Sequence, residues 1–297
     1  MVERIGTATF FAQTISDVRS GQSQLAELRR QISSGVKAAD FAQLGTETVP
    51  IMDLRSSIDS TKQYQRQNEL TLTRLDIMET SINKLQELAE GLKSQVALKR
   101  SAAGASLDLT IYAESSLDQI KDMLNVKAFG SYLFGGSKTD TPPLSGNIEN
   151  IGTNGSPTSD YYQGDDFLAN IRATKNLTVE YGVTADDSAF QKLIGAFSYL
   201  LRPDNTANLD QAAALTNEAV EELTNVRTRV GTSARTLEEA NSTHDAVTLQ
   251  LEQLLKDSIG TDITEATIKV SELELLLTAT FQTFARVQKL SLTQYLG

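Results

Sequence analysis

The sequence predicts a mainly α protein: a long antiparallel helical bundle or coiled coil formed by the amino- and carboxyl-terminal segments, with a small β-rich inserted domain. Three observations predict it. A heptad rhythm runs unbroken through residues 223–254, where Leu223, Val226, Val230, Ser233, Leu237, Ala240, His244, Val247, Leu251 and Leu254 fall three and four apart, the spacing of a helix with one dry seam. Both ends of the chain carry similar stripes: Phe11, Val18, Leu25, Leu28 and Ile32 near the start, and Ile263, Val270, Leu273, Leu277, Phe284 and Val287 near the finish. Between them, residues 129–187 turn rich in Gly, Asn, Asp, Ser, Thr and Pro, with turn signals at Pro142-Pro143, Asn154-Gly155 and Gly164-Asp165-Asp166.

Taken in order, residues about 4–33 read as an amphipathic helix closed by Ser33-Ser34-Gly35, glycine being the usual carboxyl-terminal stop. Pro50 suits a first helical turn, and a long helix to about residue 99 follows. Its second half carries a seam of Leu75, Met78, Ile82, Leu85, Ala89, Leu92 and Val96; its first half mixes Leu54, Ile58 and Tyr64 with Gln, Asn and Thr. A shorter helix bearing Leu117, Ile120 and Leu124 ends near residue 126. Within the insert, Leu177, Val179, Tyr181 and Val183 alternate with polar residues and glycine, the period of a half-buried strand, and residues 130–134 and 167–173 are further strand candidates. Helix resumes from about residue 188 to 201, and Pro203 closes it. The rod then opens near Asn208, and a last helix follows the break at Gly260-Thr261-Asp262.

At ~1.5 Å per residue the 223–254 segment is a rod roughly 48 Å long. Its seam alone does not offset the entropy of ordering so long a backbone, so the rod needs partners along its length. The predicted division is 1–45 with 255–297 as a terminal helical region, 46–128 with 188–254 as a long-helix bundle, and 129–187 as the β-rich insert.

Composition narrows the function classes. The 297 residues are 40% hydrophobic but only 6% aromatic with no Trp, and the net charge is −11. That charge argues against a sequence-independent grip on nucleic acid or an anionic membrane, since both need clustered Lys and Arg. With no Cys, thiolate metal sites, disulfides and cysteine nucleophiles are excluded. No stretch reads as a secretory leader or a bilayer span, so by that test the chain is cytosolic unless a different export route carries it.

Several residues invite sharper readings. His244 is the only histidine; with no second His and no Cys to join it in a metal site, it reads as a packed or capping side chain. Residues 130–139 place Gly136-Ser137-Lys138-Thr139 after other glycines, yet Gly and Lys are not contiguous as a phosphate loop requires. Asp165-Asp166 and Asp186-Asp187 lack the alternating oxygen ligands of a calcium loop and read as solvated turns. Asn154, Asn176 and Asn241 each open a glycosylation sequon, read as chance matches. Gly231 reads equally as a site of close helix approach or as a tolerated helical glycine. No acid, base and nucleophile stand together, and no cofactor or metal is implied.

Specific residues within this layout resemble the flagellin superfamily, and within it most closely the hook-associated proteins of the hook–filament junction. Leu28-Arg29-Arg30-Gln31-Ile32-Ser33-Ser34-Gly35-Val36-Lys37 is similar to the motif that closes that family's first helix. Asn225-Val226-Arg227-Thr228-Arg229-Val230-Gly231-Thr232 resembles its Val-Arg-x-x-apolar-Gly-Thr signature, and Leu290-Ser291-Leu292-Thr293-Gln294-Tyr295-Leu296 its Leu-Ser-Leu ending. Two stretches of the insert point to the junction type: Ser131-Tyr132-Leu133-Phe134-Gly135-Gly136-Ser137-Lys138-Thr139 with Pro142-Pro143-Leu144, and Tyr161-Tyr162-Gln163-Gly164-Asp165-Asp166. The resemblance covers about 1–130 and 190–297. It implies a non-enzymatic subunit, exported unfolded through the flagellar type III channel without a cleavable signal and stacked as a ring of copies. The implied partners are copies of itself, the other hook-associated junction protein, flagellin and a cytosolic export chaperone.

The expected assembly interface is Phe11, Val18, Leu25, Leu28, Ile32, Ile263, Val270, Leu273, Leu277, Phe284 and Val287. A lone chain would leave part of both terminal stripes wet. The expected bundle seam is Leu75, Met78, Ile82, Leu85, Leu92, Leu223, Val226, Val230, Leu237, Val247, Leu251 and Leu254. A filament flagellin and, from another class, a cytosolic coiled-coil adaptor are the alternative readings.

Overall fold

The computed structural model describes residues 2–37, 48–101, 104, 106–145, 148, 161–203 and 205–296, with side chains at all of these except 2–8, 10, 11, 48 and 288–296. Six helices and four short strands follow in the order α1 (Val2–Ser34), α2 (Thr48–Arg100), α3 (Thr110–Leu124), β1 (Lys127–Ala128), β2 (Ser131–Tyr132), β3 (Ala169–Arg172), β4 (Thr178–Tyr181), α4 (Ser188–Leu200), α5 (Thr206–Ile259) and α6 (Ile263–Leu296). The chain packs as two compact units, one of Met1–Asp59 with Thr248–Gly297 and the other of Ser60–Val247, so α2 and α5 each give one end to both. No helix among the described residues is long and apolar enough to cross a membrane.

In the larger unit the apolar residues of α2 and α5 meet as the heptad spacing requires. Leu75, Met78, Ile82, Leu85, Ala89, Leu92 and Val96 of α2 share one core with Leu223, Val226, Val230, Leu237 and Ala240 of α5. The two helices run antiparallel: Gln65 bonds Asp245, Asn68 bonds Asn241, Gln86 bonds Thr224 and Arg100 bonds Asp210, so that one number rises as the other falls. The helix α4 is apolar nearly all round, with Ala189, Phe190, Leu193, Ile194, Ala196 and Phe197 all buried, the pattern of a helix enclosed in the core. Asp187 starts it by accepting from Ala189 N at 3.1 Å, and an ion pair to Arg229 of α5 holds that carboxylate.

The strands form two antiparallel two-stranded sheets, β1 with β2 and β3 with β4. Lys127 pairs with Tyr132 and Ala128 with Ser131, leaving a two-residue turn. Both turn residues are left-handed, Phe129 at φ 51° and Gly130 at φ 84°, as the tightest hairpins demand. The strand β4 buries Val179 and Tyr181 and exposes Thr178 and Glu180, the alternation read from the sequence, whereas Leu177 sits in the turn and is 39% exposed. The apolar side chains of this region, Phe134, Leu144, Tyr161, Val179, Tyr181 and Val183, belong to the same core as α2, α3, α4 and α5.

The α5 stripe departs from the strict heptad beyond His244. Val247 and Leu254 are 39% and 47% exposed. Thr248 is buried and Leu251 and Leu255 are half-buried, so the inward positions continue as 244, 248, 251 and 255. A helix with 3.6 residues per turn drifts by about 20° per heptad, and a four-four-three step restores the phase.

Phe134 is fully buried, with its ring edge-on to Phe190 at 5.9 Å and 85°. Phe134→Ala is expected to lower the unfolding free energy by about 3–5 kcal/mol. Ile111→Ala, at a side chain 77% exposed, is expected to change it by less than about 0.5 kcal/mol. Urea unfolding followed by circular dichroism measures both.

Candidate assembly surface

The smaller unit is built on α1 and α6, which lie antiparallel. Gly21 faces Leu277, Arg29 pairs with Glu274 at 2.7 Å, and Thr14, Ile15, Val18 and Arg19 line a groove with Phe281 and Phe284. At one end the pair is clasped by backbone. Gly35, at φ 72°, takes the left-handed conformation that ends α1 and turns Val36 into a bridge with Gly260. Lys37 N donates to Ile259 O at 2.8 Å and Thr261 N to Gly35 O at 3.0 Å. Ser34 Oγ accepts from Val36 N at 3.4 Å. The Ser33-Ser34-Gly35 motif therefore stops one helix and pins it to the α5–α6 junction.

The terminal stripes are turned towards each other inside the chain. Leu277 is 9% exposed, and Val18, Leu25, Leu28, Ile32, Val270, Leu273, Phe284 and Val287 are half-buried. Ile263, expected on the same stripe, is 54% exposed. The Phe11 side chain, those of the Leu290–Leu296 ending and the sequon at Asn154 lie outside the described residues.

What remains uncovered on α1 and α6 is a different set. Ile268, Leu275 and Leu276 of α6 are 54%, 72% and 62% exposed, whereas Phe281 of α6 and Ile15 of α1, 49% and 46% exposed, line the groove between the two helices. Leu249, Val49 and Met52 add to the uncovered set, so most of the exposed large apolar side chains among the described residues fall in this smaller unit. A heptad reading of α6 misses them because it follows one seam; the signal was the surplus of apolar residues, Ile268, Leu275 and Leu276, lying outside that seam.

The junction-type stretches of the insert also come together, although some 25 residues separate them. Asp165 is the hub: Ser137 N donates to its Oδ1 at 2.8 Å, Phe167 N does so at 3.2 Å, and the Ser137 hydroxyl donates to its Oδ2. Lys138 Nζ donates to the carbonyls of Gln163 and Gly164 at 3.2 and 3.0 Å. Gly136 is left-handed, and a Cβ there would lie 2.1 Å from the Asp165 carboxylate; one on Gly164 would lie 2.2 Å from the Tyr162 hydroxyl. The phosphate-loop reading therefore has a structural answer: a carboxylate of the chain already occupies the Ser137 amide, and carbonyls hold Lys138. Burial, with Asp186 nearby, pushes the Tyr161 and Tyr162 phenols up, so both stay neutral.

The remaining singled-out residues are placed as follows. Arg227 Nε donates to Glu79 at 3.3 Å across an exposed surface, a contact of little energetic weight. Thr232 Oγ1 donates to Thr228 O at 2.8 Å. No atom lies within 4 Å of a Cβ added to Gly231, so the chain itself makes no close approach there. His244 is buried, with Nε2 2.8 Å from Ala173 O. Among the described residues no group of three or more His, Asp or Glu is placed to hold a metal ion.

Two outcomes follow from this geometry. A Cβ on Gly21 would meet Leu277 Cδ2 at 2.9 Å, the movable end of a side chain. Gly21→Ala is expected to be tolerated, its gain in helix propensity of about 1 kcal/mol offsetting the adjustment, whereas Gly21→Leu is expected to cost about 1–3 kcal/mol and to be relieved by Leu277→Ala. Thermal unfolding of the single and double variants tests this. The Ser137 hydroxyl, then the Ser137 and Phe167 amides, hold Asp165 below its ordinary value of 3.8. Its stabilising effect is thus present above about pH 4 and is lost as the pH falls through the lower folded value. Protection of the Ser137 and Phe167 amides, taken relative to their intrinsic exchange rates at each pH, is expected to fall on acidification in the parent and to be low throughout in Asp165→Asn.

No family model matches the sequence, and no curated protein matches it. Solved structures do. A candidate flagellar hook-associated protein from Vibrio parahaemolyticus superposes with a TM-score of 0.59 at 16% identity, over 72% of this chain and 97% of that one. FlgL from Bacillus cereus superposes with a TM-score of 0.50 at 13% identity, over 64% of this chain and 98% of that one. The chain shares the fold of these proteins, long packed helices with a small strand region.

Proposed function

We propose that this chain is a non-enzymatic structural subunit of the bacterial flagellum, a hook-associated protein of the junction between hook and filament. Copies join in a ring through the terminal helices. The observation that carries the proposal is the apolar face of α6, Ile268, Leu275 and Leu276, left uncovered after α1 has taken the opposite stripe. On a chain whose fold is that of hook-associated proteins, such a face suits lateral packing of like subunits, where each copy covers the next. The half-buried stripe residues Val18, Leu25, Leu28, Ile32, Val270, Leu273, Phe284 and Val287 then set the shape of the α1–α6 pair, and with Leu277 and the exposed Ile263 they complete the contact. The adjoining partners are the other hook-associated junction protein and flagellin, after export with a cytosolic chaperone. The net charge of −11 keeps copies apart in solution before assembly.

Each fully buried Leu contributes about 1.5–3 kcal/mol to such a contact. Leu275→Glu with Leu276→Glu is therefore expected to weaken self-association more than tenfold at unchanged helix content, as read by sedimentation and circular dichroism. Labelled antibody is expected at the base of isolated filaments, and deletion of the gene to leave hooks with flagellin lost into the medium. Hooks without any flagellin made would indicate a filament subunit, and a protein found only in the cytosol would indicate an adaptor.

A further inference from the structure

One layer of the α2–α5 contact is polar. From Leu75 to Val96 the inward side chains of α2 are apolar apart from the small Ser81, but the next ones towards its amino-terminal end are Tyr64, Asn68 and Thr71. Asn68 is fully buried; its Nδ2 donates to Asn241 Oδ1 at 2.8 Å and to Ala173 O at 3.2 Å. His244 Nε2 lies 2.8 Å from the same carbonyl. A carbonyl only accepts, so that nitrogen carries the proton. Tyr64 stacks on the imidazole at 5.8 Å and 8°, and at the rim Gln65 Nε2 donates to Asp245 Oδ1 at 2.7 Å. The Oδ1 of Asn68 has no partner among the described residues.

Such a layer does not serve stability best, since apolar side chains of the same volume in a buried contact are often neutral or better. It does serve selection. The seams of α1, α2, α5 and α6 repeat with nearly one period, so apolar contact alone barely distinguishes the native α2–α5 pairing from a heptad slip or from another helix of the chain. Either of these would bury the Asn68 amide without Asn241 and Ala173 to receive it. We infer that the Asn68–Asn241–His244 layer selects the partner and register of α2 during folding, and fastens the end of β3 to both helices through one carbonyl.

The chain has no Cys, so introduced pairs report register without background. Gln86→Cys with Thr224→Cys tests the native register, in which Gln86 Nε2 bonds Thr224 Oγ1 at 3.2 Å. Gln86→Cys with Asn217→Cys or Gly231→Cys tests a heptad slip in either direction. Refolded from denaturant and then oxidised, the parent background is expected to crosslink only in the native pair. In an Asn68→Leu/Asn241→Leu background, slipped products are expected to rise at least tenfold, with an unfolding midpoint no lower than the parent's. Native crosslinks alone in that background would overturn the inference, and a lowered midpoint beside them would assign the layer to plain stability. Should the double variant fail to refold, His244→Phe decides, because it keeps the stack on Tyr64 and removes one donor from Ala173 O. Amide exchange at Thr174 and Leu177 is then expected to quicken at least fivefold with the native crosslink retained; unchanged exchange would overturn the fastening.

Discussion

Everything in this chain depends on covering the apolar stripes of helices that are far too long to hold themselves. A helix of 53 or 54 residues such as α2 or α5 presents a seam that water would wet on one side for its whole length. In the larger unit the solution is internal: α2 and α5 cover each other, and α3, α4 and the strand region complete a single core around Phe134, Phe190 and Phe197. In the smaller unit the solution is incomplete. There α1 takes one stripe of α6 and a second face of α6 stays open. The same requirement thus produces a self-sufficient core in one place and an uncovered apolar surface in the other.

The strand region shows how little regular structure is needed when loops are tied by specific chemistry. Its strands run for two to four residues, too short to hold by ladder bonds alone. They are held by cross-ties instead. Asn125 bonds both the amide and the carbonyl of Leu144, Leu144 bridges to Tyr162, and Asp165 gathers Ser137 and Phe167. Gly136 and Gly164 are required because backbone and carboxylate pass where a side chain would stand. Residues that look like ingredients of a ligand site in the sequence are here consumed in mutual contacts, which is the physical reason the region reads as a structural knot and not as chemistry.

Polar groups within the helical seams do a separate kind of work. Heptad contacts are strong but nearly degenerate, and the only lasting way to break a degeneracy is to bury something that is costly in every arrangement but one. The amides of Asn68 and Asn241 and the imidazole of His244 sit where the apolar rhythm of α2 fades; Asn68 and His244 meet at a carbonyl supplied by the end of β3, and Asn241 accepts from Asn68. One small cluster thereby joins three elements that are distant in sequence.

How much was legible in advance follows from the range of the forces involved. Helix positions are local: three- and four-residue spacing, Gly35, Pro50, Pro203 and the Gly260 break determined six helices to within a few residues of their observed ends, and the alternation around Val179 and Tyr181 determined β4. The β1–β2 turn was missed because Phe129 holds a left-handed backbone conformation that side chains of its kind rarely adopt and that its own identity does not signal. Val247 and Leu254 were placed inward by a strict heptad, but phase drift, which accumulates only over a real helix of this length, turned them outward and brought Thr248 and Leu255 in. The meeting of Asp165 with Ser137, of Asn68 with Asn241, and the division of the α6 apolar residues into a covered and an uncovered face were decided by tertiary structure alone. Each depends on which surfaces arrive opposite one another, and a one-dimensional pattern states that a stripe must be buried without stating against what.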